Sequence, residues 1–513
     1  MPKVQPKLFI MKKIILFIIL NAVLNTLRAQ TYELGFDAKV IKNYSTLKKD
    51  ATINVHSMTH KLDFDESGNP LDTYILNTDH GQVFVKDKLE KILDVQYKNA
   101  QDYWNAQILF NVLEQLSKRG TQVDLRAEME DDALEYISRV QRYGLSFEDP
   151  FLESYIYSII TKLAPATLID GRPGNVNLLI ERNPIANASM FPNGTLVIST
   201  GLISLLHSED ELAAVLAHEI AHFVADHSVQ NYNKAQDRLK RAEFWAGLAT
   251  VLTAAAEGIA AANDSYYRPG AATVAVAAAS SQIGTAVCKR LGMVYNRDQE
   301  SKADEMAVEL MKVMKYDTNA LSTALSRIEE SMKQERSVEM FFASDHPALV
   351  DRIKKAGIPN KNKDKNFEKI ISFAVSDAAT MKMETRRYRQ ALPLVSQNIE
   401  NNVATADDYI QKANCILYLR NDDEAHMEVM SLIQEAKKYA PNSINLKKIE
   451  ILALLRQKKY VEAKTLLSDY KEKLSKMMIS DNNKPEIVWK SSYIFAMSEL
   501  EWANNMSVKL RSF

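Results

Sequence analysis

Cysteine is almost absent from this sequence, which contains only Cys288 and Cys415 among 513 residues. Two thiols so far apart in the chain cannot form a metal site of their own. In an oxidising compartment they could pair across domains. We expect instead two separately buried thiols, because nothing in the local sequence brings them together.

An excess of charge of either sign is lacking as well, since the formal net charge is −1 at pH 7. The sequence therefore predicts neither a nucleic-acid partner nor an acidic polymer as substrate. Hydrophobic residues make up 46% and charged residues 25% of the chain, which is an ordinary globular balance with enough material for a core. The length permits two or three domains.

The N-terminal residues differ from the rest of the chain. Lys12 and Lys13 precede an apolar run over 14–20, followed by a candidate cleavage site. This pattern predicts a secretory signal peptide over 1–29, with Met11 as the more natural start. An uncleaved membrane anchor is the alternative, although the run is too short to span a bilayer comfortably. No cysteine follows the predicted cut, which argues against a lipid anchor, so we expect an exported protein.

Residues 30–148 form a leader whose role the sequence does not indicate. It begins with short candidate strands, and its second part, 86–143, has apolar residues at helical spacing. His56, His60 and His80 lie in the leader. We expect them to be incidental polar residues and not metal ligands, because their surroundings favour strands.

The most informative stretch is 208–227, which has the pattern of a helix. Ser208 begins a capping box at its start. On a helix, His218 and His222 stand one turn apart on the same side, and Glu219 lies beside the first of them. Zinc peptidases use this His-Glu-x-x-His arrangement, in which the histidines hold the metal and the glutamate takes a proton from bound water. The motif also occurs by chance in helices whose histidines are merely hydrogen-bonded. It predicts a metal site only if a third ligand lies elsewhere in the chain.

A second predicted helix, which starts near Arg297, supplies the missing parts. Glu300 can offer a carboxylate oxygen and leave one metal position open, as catalytic zinc requires. Asp304, one turn further, is placed to accept the free ring N–H of a liganding histidine, and Arg297 is placed to orient Glu300. His227 is too far round its own helix to bind the metal directly, so we expect it in a supporting or structural role.

Two further segments are candidates for the active site. His346, followed by Pro347, could donate to the developing oxyanion, cap the open metal position, or be incidental. Asn187 and Ala188 lie between two candidate strands upstream of the metal helix. A peptidase holds its substrate extended, and an exposed sheet edge does so through main-chain hydrogen bonds. We therefore expect a substrate-binding edge strand at these two residues, with a plain hairpin as the alternative.

Together these motifs resemble the family 48 metallopeptidases, a gluzincin family, over about 150–358. The resemblance implies an α+β zincin-type peptidase domain over 149–358, mainly α with a small β-sheet. It also implies one zinc ion per chain. By the same resemblance the zinc ligands are His218, His222 and Glu300, the general base is Glu219, His346 is an active-site histidine, and Asp304 supports a ligand.

Two alanine-rich runs, 244–262 and 271–287, follow the metal helix. Alanine drives membrane insertion far less than leucine does, so we expect 244–287 to form a helical hairpin that touches lipid or gates substrate entry. A transmembrane pair is the minority alternative. The runs are more polar than the membrane helices of the family, which favours its soluble periplasmic branch.

Residues 366–513 form a C-terminal part behind a polar linker. A short sequence pattern that ends in alanine recurs in this part with steps of 34 and 38 residues, at Ala391, Ala425 and Ala463. This period predicts an α-helical tetratricopeptide-like repeat domain with a concave binding face; an unrelated helical bundle is the alternative. The resemblance to periplasmic family members implies outer-membrane assembly components as partners.

We therefore expect a zinc endopeptidase in the periplasm of a Gram-negative-type bacterium. Its mechanism would be attack on a peptide carbonyl by zinc-activated water, with Glu219 as general base. Unfolded or misassembled envelope proteins as substrates follow from family analogy and not from the residues. The alternative is a chaperone or assembly factor for outer-membrane proteins that acts through the repeat domain, with little or regulated proteolysis.

Overall fold

The computed structural model of the protein describes residues 29–64, 70–85, 89–115, 119–142, 144–168, 174–232, 244–245, 286–334, 349–360, 362–478 and 486–512. The fold class predicted from the sequence is confirmed, because the chain is mainly α-helical with small β-sheets. The chain forms two compact units. The first contains the described residues up to Val123 with Thr161–Asn175 and Lys312–Lys315, and the second contains those of Asp124–Ile160, Val176–Met311 and Tyr316–Phe513.

The first unit is built on a five-stranded antiparallel sheet. Its strands are β1 (Ala29–Val40), β2 (Thr52–Phe64), β3 (Pro70–Thr78), β4 (Gly81–Val85) and β5 (Leu93–Gln96). Consecutive strands β1 to β4 pair as a meander, and β5 returns to pair with the free edge of β1, which gives the order β4-β3-β2-β1-β5. Alternate side chains of β1, such as Phe36, Ala38 and Val40, are buried, so one face of the sheet carries the core.

The leader contains more strand than its sequence indicates. Helical spacing was predicted over 86–143, yet β5 lies within that range. Leu93 and Val95 are buried because β5 pairs with the distant β1, and no local pattern reveals such a partner. His56 and His60 lie on β2, and His56 belongs to no metal-binding cluster among the described residues. His80, in the turn between β3 and β4, does not either.

The second unit contains a small sheet that leads into the helix of the metal site. Strand β6 (Asn177–Glu181) runs parallel to β8 (Thr195–Ser199), and β7 (Ala188–Met190) pairs antiparallel with β8 at the edge. Gly194, in the turn before β8, has a φ of +79°, a conformation that glycine adopts without strain.

Most of the remaining described residues lie in helices. Helix α1 (Ala100–Gln115) belongs to the first unit and packs on β1. Eight helices follow it before the tail: α2 (Arg119–Arg142), α3 (Pro150–Leu163), α4 (Thr200–Ile203), α5 (Glu209–Val224), α6 (His227–Asn231), α7 (Arg297–Val313), α8 (Ala320–Gln334) and α9 (Leu349–Ala356). The tail consists of α10 (Lys365–Ile370), α11 (Ser372–Glu384), α12 (Tyr388–Glu400), α13 (Ala406–Leu419), α14 (Asp423–Tyr439), α15 (Ile444–Arg456), α16 (Tyr460–Met477) and α17 (Glu486–Lys509).

Helix α5 begins where its sequence signals predict. Ser208 caps it, because its Oγ accepts the Glu211 backbone N–H at 3.2 Å. The Glu211 carboxylate in turn accepts the backbone N–H of His207 at 3.0 Å and binds Arg327 at 2.8 Å. Every side chain from Glu211 to Val224 is buried, so α5 runs through the interior of the second unit.

The tail helices pack in sequence order. Each helix from α11 to α17 contacts the next, and among the alternate helices α13 also contacts both α11 and α15. Ala391, Ala425 and Ala463 lie on the intervening helices α12, α14 and α16 and are almost completely buried. The alternate helices therefore form one layer of the tail.

The tail and the residues before it belong to the same compact unit. Arg182, which follows β6, donates to Asp377 on α11 at 2.6 Å, and the Thr200 hydroxyl donates to the same carboxylate at 3.1 Å. Met381 of α11 joins a hydrophobic core with Leu179 of β6. Asp124–Ile160 also belongs to the second unit.

Several predictions concern segments that the structure does not describe. The predicted signal peptide, most of 244–287 and the segment with His346 lie outside the described residues. Within the described ranges, no helix is both long enough and apolar enough to cross a membrane. Cys288 and Cys415 are each buried without forming a disulfide, as the sequence predicts.

Candidate metal centre

Three candidate metal ligands converge from helices α5 and α7. The Nε2 atoms of His218 and His222 lie 3.1 Å apart. Glu300 directs its carboxylate towards both, with Oε2 3.6 Å from His218 Nε2 and Oε1 3.4 Å from His222 Nε2. All three side chains are buried. In the described part of the chain, they form the one group of three or more His, Cys, Asp or Glu residues that could hold a metal ion.

These separations fit a tetrahedral metal ion. With bonds of about 2.0–2.1 Å from metal to ligand, the edge of a tetrahedron measures about 3.3–3.4 Å. The two Nε2 atoms lie 3.1 Å apart, and the distances of 3.6 and 3.4 Å from His218 and His222 to opposite oxygens of the Glu300 carboxylate are near the same value. Two imidazoles and a carboxylate are also ligands that zinc accepts. The donor set therefore fits a divalent transition-metal ion.

Asp304 supports His218 from one turn further along α7. Its Oδ1 lies 3.0 Å from His218 Nδ1. A carboxylate in this position favours a proton on Nδ1 and leaves the Nε2 lone pair available to a metal. Burial alone would raise the pKa of Asp304, but the contact with His218 and the guanidinium of Arg352 outweigh it and lower the pKa. Asp304 is therefore a carboxylate at neutral pH.

His222 is supported at its edge and on its face. His227 Nδ1 lies 2.9 Å from His222 Nδ1. Burial, together with the charge of Lys302, lowers the pKa of His227 to about 4. Its ring is therefore neutral near pH 7 and can accept a hydrogen bond from the Nδ1–H of His222. Tyr295 stacks on the His222 ring with centroids 3.7 Å apart, and its hydroxyl pairs with Ser228 Oγ at 3.0 Å. Both contacts fix the orientation of the imidazole.

Arg352 is a site residue that the sequence motifs do not identify. From α9 its guanidinium reaches Glu300 Oε2 at 2.5 Å and both oxygens of Asp304 at 2.8 Å. The sequence placed Arg297 beside Glu300, but Arg297 is exposed at the start of α7. The cation that orients Glu300 is therefore Arg352, which belongs to another helix.

Glu219 joins the metal centre to the small sheet. It is 2% exposed and lies next to His218 on α5. Its Oε2 accepts the backbone N–H of Met190, on β7, at 3.2 Å. The candidate general base is thus in contact with the edge strand of the sheet.

Asn187 and Ala188 lie at the beginning of this edge strand. Asn187 donates its backbone N–H to Ser199 Oγ and accepts the Ser199 N–H, both at 2.9 Å. The side chains of β7 are all buried and α5 packs against the strand, while β7 lies at the edge of its sheet.

Two histidines one turn apart, an adjacent glutamate and a carboxylate from a second helix are the arrangement that defines a gluzincin-type metallopeptidase centre. Residues 150–357, which contain all of these side chains, match the model of Peptidase family M48. The chain therefore contains an M48 metallopeptidase domain.

Several named proteins are similar to part of this chain. It is 31% identical over 183 residues to the mitochondrial metalloendopeptidase OMA1 of Schizosaccharomyces pombe, which covers 35% of this chain and 44% of that protein. It is 28% identical over 184 residues to the metalloprotease YcaL of Escherichia coli, covering 36% and 61%. It is 25% identical over 225 residues to the beta-barrel assembly-enhancing protease of Escherichia coli, covering 43% and 41%. The chain thus spans less than two thirds of each of these relatives.

Proposed function

We propose that this protein is a zinc-dependent endopeptidase. His218, His222 and Glu300 would hold the zinc ion. The observation that carries the proposal is their convergence in a buried site, where the two Nε2 atoms lie 3.1 Å apart and each lies 3.4 to 3.6 Å from an oxygen of the Glu300 carboxylate. Membership of residues 150–357 in a metallopeptidase family supports the same reaction class.

When bound, the metal would polarise the scissile carbonyl and lower the pKa of the attacking water. Glu219 acts as the general base, since its carboxylate takes a proton from that water and later delivers it to the leaving amine nitrogen. The Met190 N–H orients the carboxylate through Oε2. Asp304 and His227 hold the Nδ1 protons of His218 and His222, so that the two Nε2 atoms keep their lone pairs.

His346 would donate a hydrogen bond to the oxyanion that develops on the substrate carbonyl. This role rests on the resemblance of the Asp-His-Pro segment to the same family. The β7 strand, with Asn187 and Ala188, would receive the substrate in extended form at its backbone.

We also propose that residues 1–29 direct export and that the enzyme acts in the periplasm on unfolded or misassembled envelope proteins. Similarity to a protein named beta-barrel assembly-enhancing protease supports this substrate class. The relatives carry names from different compartments, one of them mitochondrial, so the location rests on the N-terminal sequence. Residues 244–287 would contact the membrane surface without spanning it.

A second candidate function is binding through the tail, as a chaperone or assembly factor for outer-membrane proteins with little or regulated proteolysis. The layer formed by α11, α13 and α15 favours it, because stacked paired helices present a concave face to partners. In this proposal the tail is a tetratricopeptide-like repeat domain.

The Glu219→Gln variant tests the enzymatic function. A carboxamide cannot accept the water's proton, so we expect casein hydrolysis to fall by roughly 10²- to 10⁴-fold, while metal analysis still finds one zinc ion per chain. The His218→Ala variant should lose both zinc and hydrolysis. Full biological function of Glu219→Gln in cells, with cleavage abolished, would favour the binding function.

His426→Ala is the matched control for the histidine substitution. His426 lies on α14 and contacts Asn421, so its removal should change neither zinc content nor casein hydrolysis. Equal zinc content in wild type and His218→Ala would contradict the ligand assignment.

A further inference from the structure

A groove opens along the layer of alternate helices in the tail. Its cavity of about 340 Å³ lies within the size range of ligand pockets, roughly 300–1,000 Å³. Met383, Ile410 and Ile449 form a buried apolar floor, one from each of α11, α13 and α15. At the rim, Tyr418 is 43% exposed and stacks on Tyr388 with ring centroids 4.3 Å apart. An apolar side chain with an extended backbone would fit such a surface.

Side-chain amides in the groove have hydrogen-bonding capacity that the chain does not use. Gln411 donates to Thr380 Oγ1 at 2.7 Å, but its buried Oε1 accepts no hydrogen bond from the residues that the structure describes. The side chains of Asn414 and Asn445, on α13 and α15, make none within the same residues. A buried polar atom without a partner costs roughly 1–3 kcal/mol. A polypeptide backbone offers the alternating N–H and C=O groups that would satisfy these amides.

The charge of the groove selects among peptides. Three carboxyl groups line it, from Glu384, Asp407 and Glu499, and Lys448 is the one lysine or arginine among its described lining residues. Glu499 already binds Lys448 at 2.6 Å. Asp407 has no ion-pair partner among the described residues, and partial burial with the neighbouring charge of Asp408 raises its pKa. A cation placed beside Asp407 would relieve this repulsion.

We propose that this groove binds an extended, positively charged segment of an unfolded polypeptide. The ligand's backbone lies at Gln411, Asn414 and Asn445, its lysine or arginine side chains lie at Asp407 and Glu384, and its apolar side chains rest on the floor. Such binding goes beyond hydrolysis, because it holds a protein at the tail whether or not the metal centre cuts it.

Fluorescence anisotropy with labelled short peptides tests this binding. The probes are a peptide of alternating leucine and lysine and two counterparts in which glutamine or glutamate replaces lysine. The full chain carries Glu219→Gln so that the peptides stay intact. We expect the lysine peptide to bind at least about tenfold more tightly than the glutamate peptide, and its affinity to fall as salt is raised.

Substitutions within the groove localise the site. Asp407→Asn should weaken binding of the lysine peptide by about threefold to tenfold and leave binding of the glutamine peptide unchanged. Asn414→Leu should weaken binding of all three peptides, because it removes contacts to backbone. Glu462→Gln is the matched control, since this exposed carboxyl group on α16 does not line the groove.

Three outcomes would each overturn the assignment: no measurable peptide binding, equal affinity for the three peptides, or equal effects of Asp407→Asn and Glu462→Gln. Circular dichroism establishes that each variant is folded. Casein hydrolysis by the wild-type chain is measured separately, so that loss of the peptidase function is distinguished from loss of the groove function.

Discussion

At the scale of single residues, the candidate metal centre depends on a cation that its sequence motifs do not contain. Glu219, Glu300 and Asp304 bring three carboxyl groups into a buried site. Arg352, itself 4% exposed, contacts two of them. Carboxylates buried without a positive partner are strongly unfavourable. Arg352 therefore holds the candidate ligand Glu300 and the neighbouring Asp304 in place before any metal binds.

Replacing this arginine should destabilise the metal-free protein most. We expect Arg352→Gln to lower the free energy of unfolding by roughly 3 kcal/mol without metal, because it leaves Glu300 and Asp304 without their buried partner. Zinc would restore positive charge, so adding zinc should raise the melting temperature of the variant more than that of the wild type. Thermal unfolding with a chelator and with added zinc measures both quantities.

Arg297→Gln is the control for this substitution. Arg297 lies on the same helix as Glu300 but is exposed, so the change should stay within about 0.5 kcal/mol. If Arg297→Gln instead reproduced the effect of Arg352→Gln, the role predicted for Arg297 from the sequence would be the right one.

Spacing along one helix was enough to predict which residues share a face, and not enough to predict what approaches that face. His218 and His222 lie one turn apart on α5, and Glu300 and Asp304 one turn apart on α7, as the helical period requires. Arg352 follows the candidate active-site residue His346 by six residues. The contact of Arg352 with Glu300 nevertheless depends on tertiary packing, which the spacing does not predict. The stacking of Tyr295 on His222 has the same origin.

At the scale of secondary-structure elements, the end of strand β6 carries a buried acid. Glu181 is 3% exposed and accepts the Tyr136 hydroxyl at 3.2 Å. Burial raises the pKa of Glu181 to about 7, although hydrogen bonds from Tyr136 and Asn183 act in the opposite direction. The folded chain thus binds a proton at Glu181 more tightly than the unfolded chain does. Its contribution to stability is complete below about pH 4.5 and is lost as the pH rises through about 7.

The Glu181→Gln variant should remove this pH dependence. Between about pH 5 and pH 8, the free energy of unfolding of the variant should rise relative to that of the wild type by up to about 3 kcal/mol, since the amide stays neutral. Urea unfolding at a series of pH values measures this difference. Glu148→Gln, at an exposed carboxyl group, should show no such trend. A difference that is constant with pH would contradict the assignment.

Elements were predictable where their signal is local. The start of α5 at Ser208 follows from its cap, and strands β6 and β8 follow from short apolar runs. The five-stranded sheet was largely missed. Strand β5 has only four residues and is stabilised by pairing with β1, more than fifty residues earlier. The local pattern of apolar residues does not reveal so distant a partner.

At the scale of the whole molecule, the tail is part of the same compact unit as the metal centre. The sequence predicts a linker and a separate repeat domain, because a polar segment and a change of period are visible in the chain. The contacts that join the two parts include the pairing of Arg182 and Thr200 with Asp377 and the packing of Met381 in a core with Leu179. Their pairing has no periodic pattern, so composition could not reveal it.

Removing the shared carboxylate should destabilise the second unit. Asp377 is 7% exposed, and we expect Asp377→Ala to lower the free energy of unfolding by roughly 2 kcal/mol, because Arg182 and Thr200 lose their acceptor. Differential scanning calorimetry measures the shift.

Glu472→Ala provides the comparison, since it removes an exposed pair with Lys476 and should cost less than about 0.5 kcal/mol. Equal effects of the two substitutions would show that the Asp377 contacts do not join the tail to the rest.

The parts of the metal centre are widely separated along the chain, and this separation sets the order in which they become available. During translation the ribosome adds the histidines at 218 and 222 first, Glu300 much later, and Arg352 last. A nascent chain therefore carries two imidazoles with neither their carboxylate nor the guanidinium that anchors it. The three candidate ligands are therefore first present together once synthesis has passed Glu300, and the buried partner of that carboxylate is added later still.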